Sequence, residues 1–130
     1  MTRAHGRNEV IMDDSILYTI KSMIGGIVCD TGDFDVDLIV NINSAFSILH
    51  QLGLGPKKGF KIAGETETWT EFLGDDSHLE DAKTYVYLRT KLNFDPPANS
   101  FLVNSIEKQL TELEWRLNVA QETPAFEEEE

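Results

Sequence analysis

Residues 93–120 (N-F-D-P-P-A-N-S-F-L-V-N-S-I-E-K-Q-L-T-E-L-E-W-R-L-N-V-A) constrain the fold more than any other stretch. Pro96 drives Asp95 into extended backbone, so a helix cannot run through the Pro-Pro step. From there to Pro124 nothing interrupts one. Leu102, Ile106, Leu110, Leu113, Leu117 and Ala120 recur at three- and four-residue intervals, which predicts a helix over 99–120 with one apolar stripe. Glu107, Lys108, Glu112, Glu114, Arg116 and Asn118 lie off that stripe, and Trp115 stands beside the charged face. A helix of this kind cannot bury its stripe alone. The rest of the chain is expected to organise itself around it.

With 130 residues, the chain has room for one domain with a real core. An apolar content of 41% argues against wholesale disorder. The formal charge of −12 sets 23 acidic residues against 11 basic ones, and setting aside the four glutamates 127–130 still leaves −8. Gripping nucleic acid by its phosphates needs clustered Lys and Arg, so this balance speaks against it. It would suit a surface that DNA slides past without sticking. A single cysteine, Cys29, excludes an internal disulfide framework and a cysteine-based zinc site. No apolar run approaches the roughly 20 residues of a membrane span, and residues 1–9 lack a signal-like apolar stretch. A soluble protein made in a cytoplasm is expected.

Taken in order, residues 1–14 read as a flexible lead. Asp13 and Asp14 then precede Ile16, Leu17, Ile20, Met23 and Ile24, predicting a first helix over 15–24 that Gly25 and Gly26 stop. Residues 27–37 read as a connecting loop. Its Asp30-Thr31-Gly32 triplet matches that of aspartic proteases, but those enzymes pair two such aspartates within a β-rich fold, which this chain does not offer. Asp33, Asp35 and Asp37 alternate like the first half of a calcium loop. Leu38 and Ser44 stand where that loop requires Gly and Glu, so the acids are read as the start of the next helix. A second helix is predicted over 36–52, with a stripe of Leu38, Ile42, Ala45, Phe46, Leu49 and Leu52 and with Gly53 past its end. His50 lies near that C-terminus with no partner visible in the sequence.

Residues 54–73 change character. Glycines and lysines at 55–59 form a turn-rich segment without the spacing of a phosphate loop, and Phe60 to Ala63 alternate as a short strand would. Thr68 to Leu73 read as one helical turn whose Trp69 and Phe72 plug the core. A third helix follows over 78–92, carrying Leu79, Ala82, Tyr85, Val86, Tyr87, Leu88 and Leu92. The expected fold is therefore mainly α, an antiparallel bundle of three to four helices with an irregular, partly β insert between helices 2 and 3. Its domain spans 15–122, and 123–130 form an acidic, flexible tail. Three scattered histidines and one cysteine supply no nucleophile–base pair, so neither enzyme activity, cofactor nor metal is expected.

Several pieces together resemble a known family. They are Asp37-Leu38 through Asn43 and Ala45-Phe46; Gln51-Leu52-Gly53 with Gly55-Pro56; Gly59-Phe60-x-Ile62; Thr68-Trp69-x-x-Phe72-Leu73; Leu92-x-Phe94-Asp95-Pro96-Pro97; and Glu112-Leu113-Glu114-Trp115-Arg116-Leu117. In order and approximate spacing they resemble the small head–tail connector (adaptor, or head-completion) proteins of tailed bacteriophages, over residues 16–117. The resemblance implies a helical virion protein of the neck, made in the host bacterial cytoplasm. Copies of it would form a ring beneath the portal protein, continue the DNA channel and offer a platform to the next head-completion or tail protein. Ring contacts of that sort are heterologous. The candidate partner-binding residues are Trp115, Arg116 and Phe126, with Lys57, Lys58 and Phe60 of the insert. A rival reading from the charge alone is a small acidic regulatory or inhibitory protein, a nucleic-acid mimic that binds a basic partner.

Overall fold

The computed structural model describes residues 14–128, with side chains within 14–118. Helix formation follows the apolar periodicity closely. The described residues form α1 (Ile16–Ile24), α2 (Ile27–Asp30), α3 (Asp35–Gln51), α4 (Trp69–Leu73), α5 (Leu79–Phe94) and α6 (Ser100–Glu128). The mainly helical class is as expected. No strand forms among the described residues; residues 60–63 are irregular, and the one β-type pairing is an isolated bridge between Ser15 and Thr68.

Local chemistry explains the boundaries. Ser15 caps α1 by accepting the Tyr18 N–H at 3.2 Å. The first turn of α3 carries Asp35 and Asp37, where carboxylates meet the positive end of the helix dipole. At α4 the Thr68 hydroxyl accepts from Glu71 N–H (3.1 Å) while the Glu71 carboxylate accepts from Thr68 N–H (3.0 Å), a reciprocal capping box. Asn99 caps α6 through the Phe101 N–H at 2.7 Å, directly after the Pro-Pro break. The segment after α1 is not all loop, since its residues 27–30 make the short turn α2, with Val28 buried. The backbone of α6 stays helical to Glu128, so Pro124 lies inside it instead of marking its end at Ala120.

The bundle is antiparallel. Phe34 at the start of α3 meets Phe94 at the end of α5, ring centroids 6.0 Å apart. Along the α5–α6 pair, Tyr85 reaches Glu114 and Asp81 reaches Arg116, so the numbering runs in opposite directions. The hub is α5, which packs against α1, α3 and α6. This corrects the expectation that the last helix organises the rest. Ala82, Tyr85, Val86, Leu88 and Thr90 are buried, spread around more than one face of α5. On α3 the predicted stripe is buried as drawn, from Leu38 to Leu49.

On α6 the stripe holds from Ile106 through Leu110 and Leu113 to Leu117, but Leu102 is 49% exposed. Buried positions 106, 110, 113 and 117 alternate steps of four and three, and the next step back in that seam lands on Val103, which is partly buried. Leu102 adds a second consecutive step of four, which at about 100° per residue turns it some 40° away from the seam.

Candidate functional site

Two separate sets of candidate side chains emerge, one on the insert and one on α6, with α5 lying between α3 and α6. The insert leaves α3 through Gly53 and then Gly55, whose φ of +84° is open to glycine at little cost. Any Cβ on Gly55 would come within 2.6 Å of the Phe72 ring, so the chain passes directly over that ring. Farther along, one side chain does the work of a missing strand. Asn43 on α3 donates its amide to the Ile62 carbonyl (2.9 Å) and accepts the Ile62 N–H (2.7 Å). His50, which lacked a visible partner, donates Nε2 to the Lys57 carbonyl at 2.8 Å. Glu67 closes the far side of the insert by accepting from Ala63 and Gly64 N–H groups.

These bonds fix where the insert candidates point. Phe60 is half-buried, its ring 5.2 Å from Phe46 and 5.4 Å from Phe72, so it continues the core aromatic cluster rather than standing free. Lys57 and Lys58 are exposed, as is Lys61, and none of the three makes an ion pair among the described residues. Lys58 and Lys61 line a hollow with His50, Ser44, Ser47 and Phe60. The signal for Lys61 was available in the sequence, as the third lysine within five residues.

On α6, Trp115 is 67% exposed. Its neighbours are engaged: Glu114 accepts the Tyr85 hydroxyl at 2.6 Å, and Arg116 Nη1 lies 3.5 Å from Asp81 Oδ2. Burial first, then the hydrogen bond and negative charge of Glu114, push the Tyr85 phenol well above its ordinary pKa. Phe101, 75% exposed, is a further large apolar side chain on α6 that the sequence reading passed over. The side chain of Phe126 lies outside the described residues, as do residues 1–13.

Among the described residues no group of three or more His, Cys, Asp or Glu side chains is placed to hold a metal ion. No described helix is long and apolar enough to cross a membrane. In the Asp30-Thr31-Gly32 triplet, the Thr31 hydroxyl accepts the Asp33 N–H, an ordinary local turn.

Fold and surfaces together define a small helical module that turns aromatic and basic side chains outward from a closed core. The chain matches the family model described as phage connector protein over residues 16–124, and it belongs to that family. No curated protein and no solved structure matches it significantly. The family is one of structural head–tail connectors, whose members interact with other head or tail components of the virion.

Proposed function

We propose that this protein is the subunit of a ring that sits beneath the portal, continues the DNA channel and carries the next neck or tail component. The family match across residues 16–124 carries this reading. The charge of −12 supports it, because an acidic wall repels duplex phosphates and leaves DNA free to pass. Exposed Trp115 supports it as well, since tryptophan is enriched among the residues that dominate interface energies. Trp115, Arg116 and Phe126 form the face toward the portal, with Lys57, Lys58 and Phe60 toward other partners.

The test is a virus in which this gene is silenced. Its heads should assemble, fail to retain DNA stably and lack tails, and the purified protein should restore them. Tailed, DNA-stable particles in its absence would remove the proposal. Cutting the chain after Gln121 should leave the helical signal intact and weaken attachment to the portal. Heads that keep the truncated protein as firmly as the full chain would show that Phe126 and the tail are idle.

A further inference from the structure

The insert and the acidic run 127–130 are complementary in charge, and each needs what the other offers. Residues 50–64 contain three lysines and one histidine and no acid, in a chain that is otherwise strongly negative. The formal charge of −12 becomes −15 once these three lysines are set aside. The lysines are held on a rigid frame. Asn43 takes both backbone groups of Ile62, and His50 takes the carbonyl of Lys57, so Lys57, Lys58 and Lys61 project from fixed backbone. Pre-organised donors lose less entropy on binding than those of a mobile loop. Between them lies the hollow that Lys58 and Lys61 line with His50, Ser44 and Ser47.

We infer that this hollow receives the glutamates 127–130 of a second copy of the chain. The inference rests on the ring reading above and names one contact within it. A copy's own tail is poorly placed for the hollow. Helical backbone runs from Leu117, the last buried side chain among the described residues, to Glu128, about 16 Å at 1.5 Å per residue. A helix of that stiffness leads onward along its axis; it does not double back across α5 to α3. The contact is also heterologous, joining one patch to a different patch on the neighbour, which is what a closed ring requires. The tail leaves the bundle from the end at which α3 finishes. Arg116 is level with Asp81 near the start of α5, and antiparallel packing brings the end of α3 to that same end. The helix carries Glu128 about 16 Å beyond Leu117, so the neighbour that receives the tail leans toward it rather than standing level with it. Duplex DNA fits the hollow less well, because its approach would press the remaining −15 against phosphates.

The experiment uses the full chain as an equal mixture of ¹⁵N-labelled and unlabelled copies, with portal present, linked by a carbodiimide that joins amines to carboxylates at contact. Peptides joining Lys58 or Lys61 to Glu127–Glu130 should pair labelled with unlabelled copies. Glu127→Lys with Glu128→Lys should cut the yield of links from Lys58 and Lys61 to the remaining Glu129 and Glu130 at least tenfold. Lys58→Glu with Lys61→Glu removes the reacting amines and is read instead by weakened self-association. Mixing the two variants restores two complementary pairs, the wild-type one and a reversed one, and should recover the wild-type link together with a new link in the reverse sense. Links confined to single copies, or a yield untouched by the Glu127 and Glu128 swap, overturn the inference. So does protection of Lys58 and Lys61 from acetylation by duplex DNA but not by a tail peptide. Sedimentation of the same samples separates this contact from the ring itself. Self-association that survives both swaps removes the contact and keeps the ring, whereas a wild-type chain that stays monomeric on the portal removes both.

Discussion

The two tryptophans occupy opposite situations, and the contrast divides the molecule. Trp69 is fully buried beneath α3, its ring tilted against Phe46 at 6.1 Å and Lys83 Nζ 5.7 Å from its centroid. Phe46 in turn packs with Phe60 and Phe72, the three rings lying at centroid distances from 4.7 to 5.4 Å, within the range where aromatic pairs add to simple burial. Trp115 on α6 stands mostly in solvent, as does Phe101, and Leu102 is about half exposed. The α3–α4 side thus spends its aromatic surface on its own core, while α6 commits one stripe and leaves large apolar side chains unburied. The first region closes its aromatic side chains into the core, and the second leaves Phe101 and Trp115 available for further contact.

Mutations can break or sharpen that division. Trp69→Ala should cost the most, about 3 to 5 kcal/mol in denaturant unfolding, since it removes the largest of the fully buried side chains. A loss below about 1 kcal/mol would mean that the cluster does not hold the fold. Leu113→Ala removes a buried side chain from the α5–α6 seam and should cost about 2 to 5 kcal/mol. If it cost under about 0.5 kcal/mol, α6 would be less committed to the core than its burial indicates.

Tyr85→Phe is a smaller change, about 0.5 to 1.5 kcal/mol near neutral pH for one hydrogen bond. Its clearer mark is pH dependence. The folded protein holds the Tyr85 proton at pH values where the unfolded chain, titrating near about pH 10, has lost it. The contribution is therefore complete below about pH 10 and declines as the pH rises beyond that. Unfolding series from pH 8 to 11 should show a shallower alkaline decline in Tyr85→Phe than in wild type. The least effect on stability belongs to Trp115→Ala, within about 0.5 kcal/mol. Its consequence should appear instead as weaker retention on assembled heads. A large loss of stability would place Trp115 with Trp69 and erase the contrast.

How much of this was legible in the sequence varies with the kind of interaction. The α3 stripe was plain, because Leu38, Ile42, Ala45, Phe46 and Leu49 are apolar and evenly spaced. The α4 turn was equally plain, since Thr68 and Glu71 sit at capping-box spacing around Trp69. The role of α5 was hidden. A helix packed on several sides has no single stripe, and buried Tyr85 and Thr90 do not count as apolar. Leu102 misled because spacing alone cannot separate two consecutive steps of four from an alternating seam. The partners of Asn43 and His50 were invisible for another reason: both are backbone groups, and any residue type supplies those. Of the candidate surface residues, Lys57, Lys58, Trp115 and Arg116 are exposed, whereas Phe60 is drawn half into the core.

The bond pair between Asn43 and Ile62 has a consequence for motion on the timescale of amide hydrogen exchange. The insert has no ladder of its own, and exposed loop amides exchange within local openings of nearly zero cost. The Ile62 N–H is different, since freeing it requires letting go of a side chain rooted in the middle of α3. It should exchange with the helix rather than with its neighbours in sequence, a slow position set between fast ones. The lysines that precede that clamp are thereby carried as part of the rigid bundle, although the backbone that bears them is irregular.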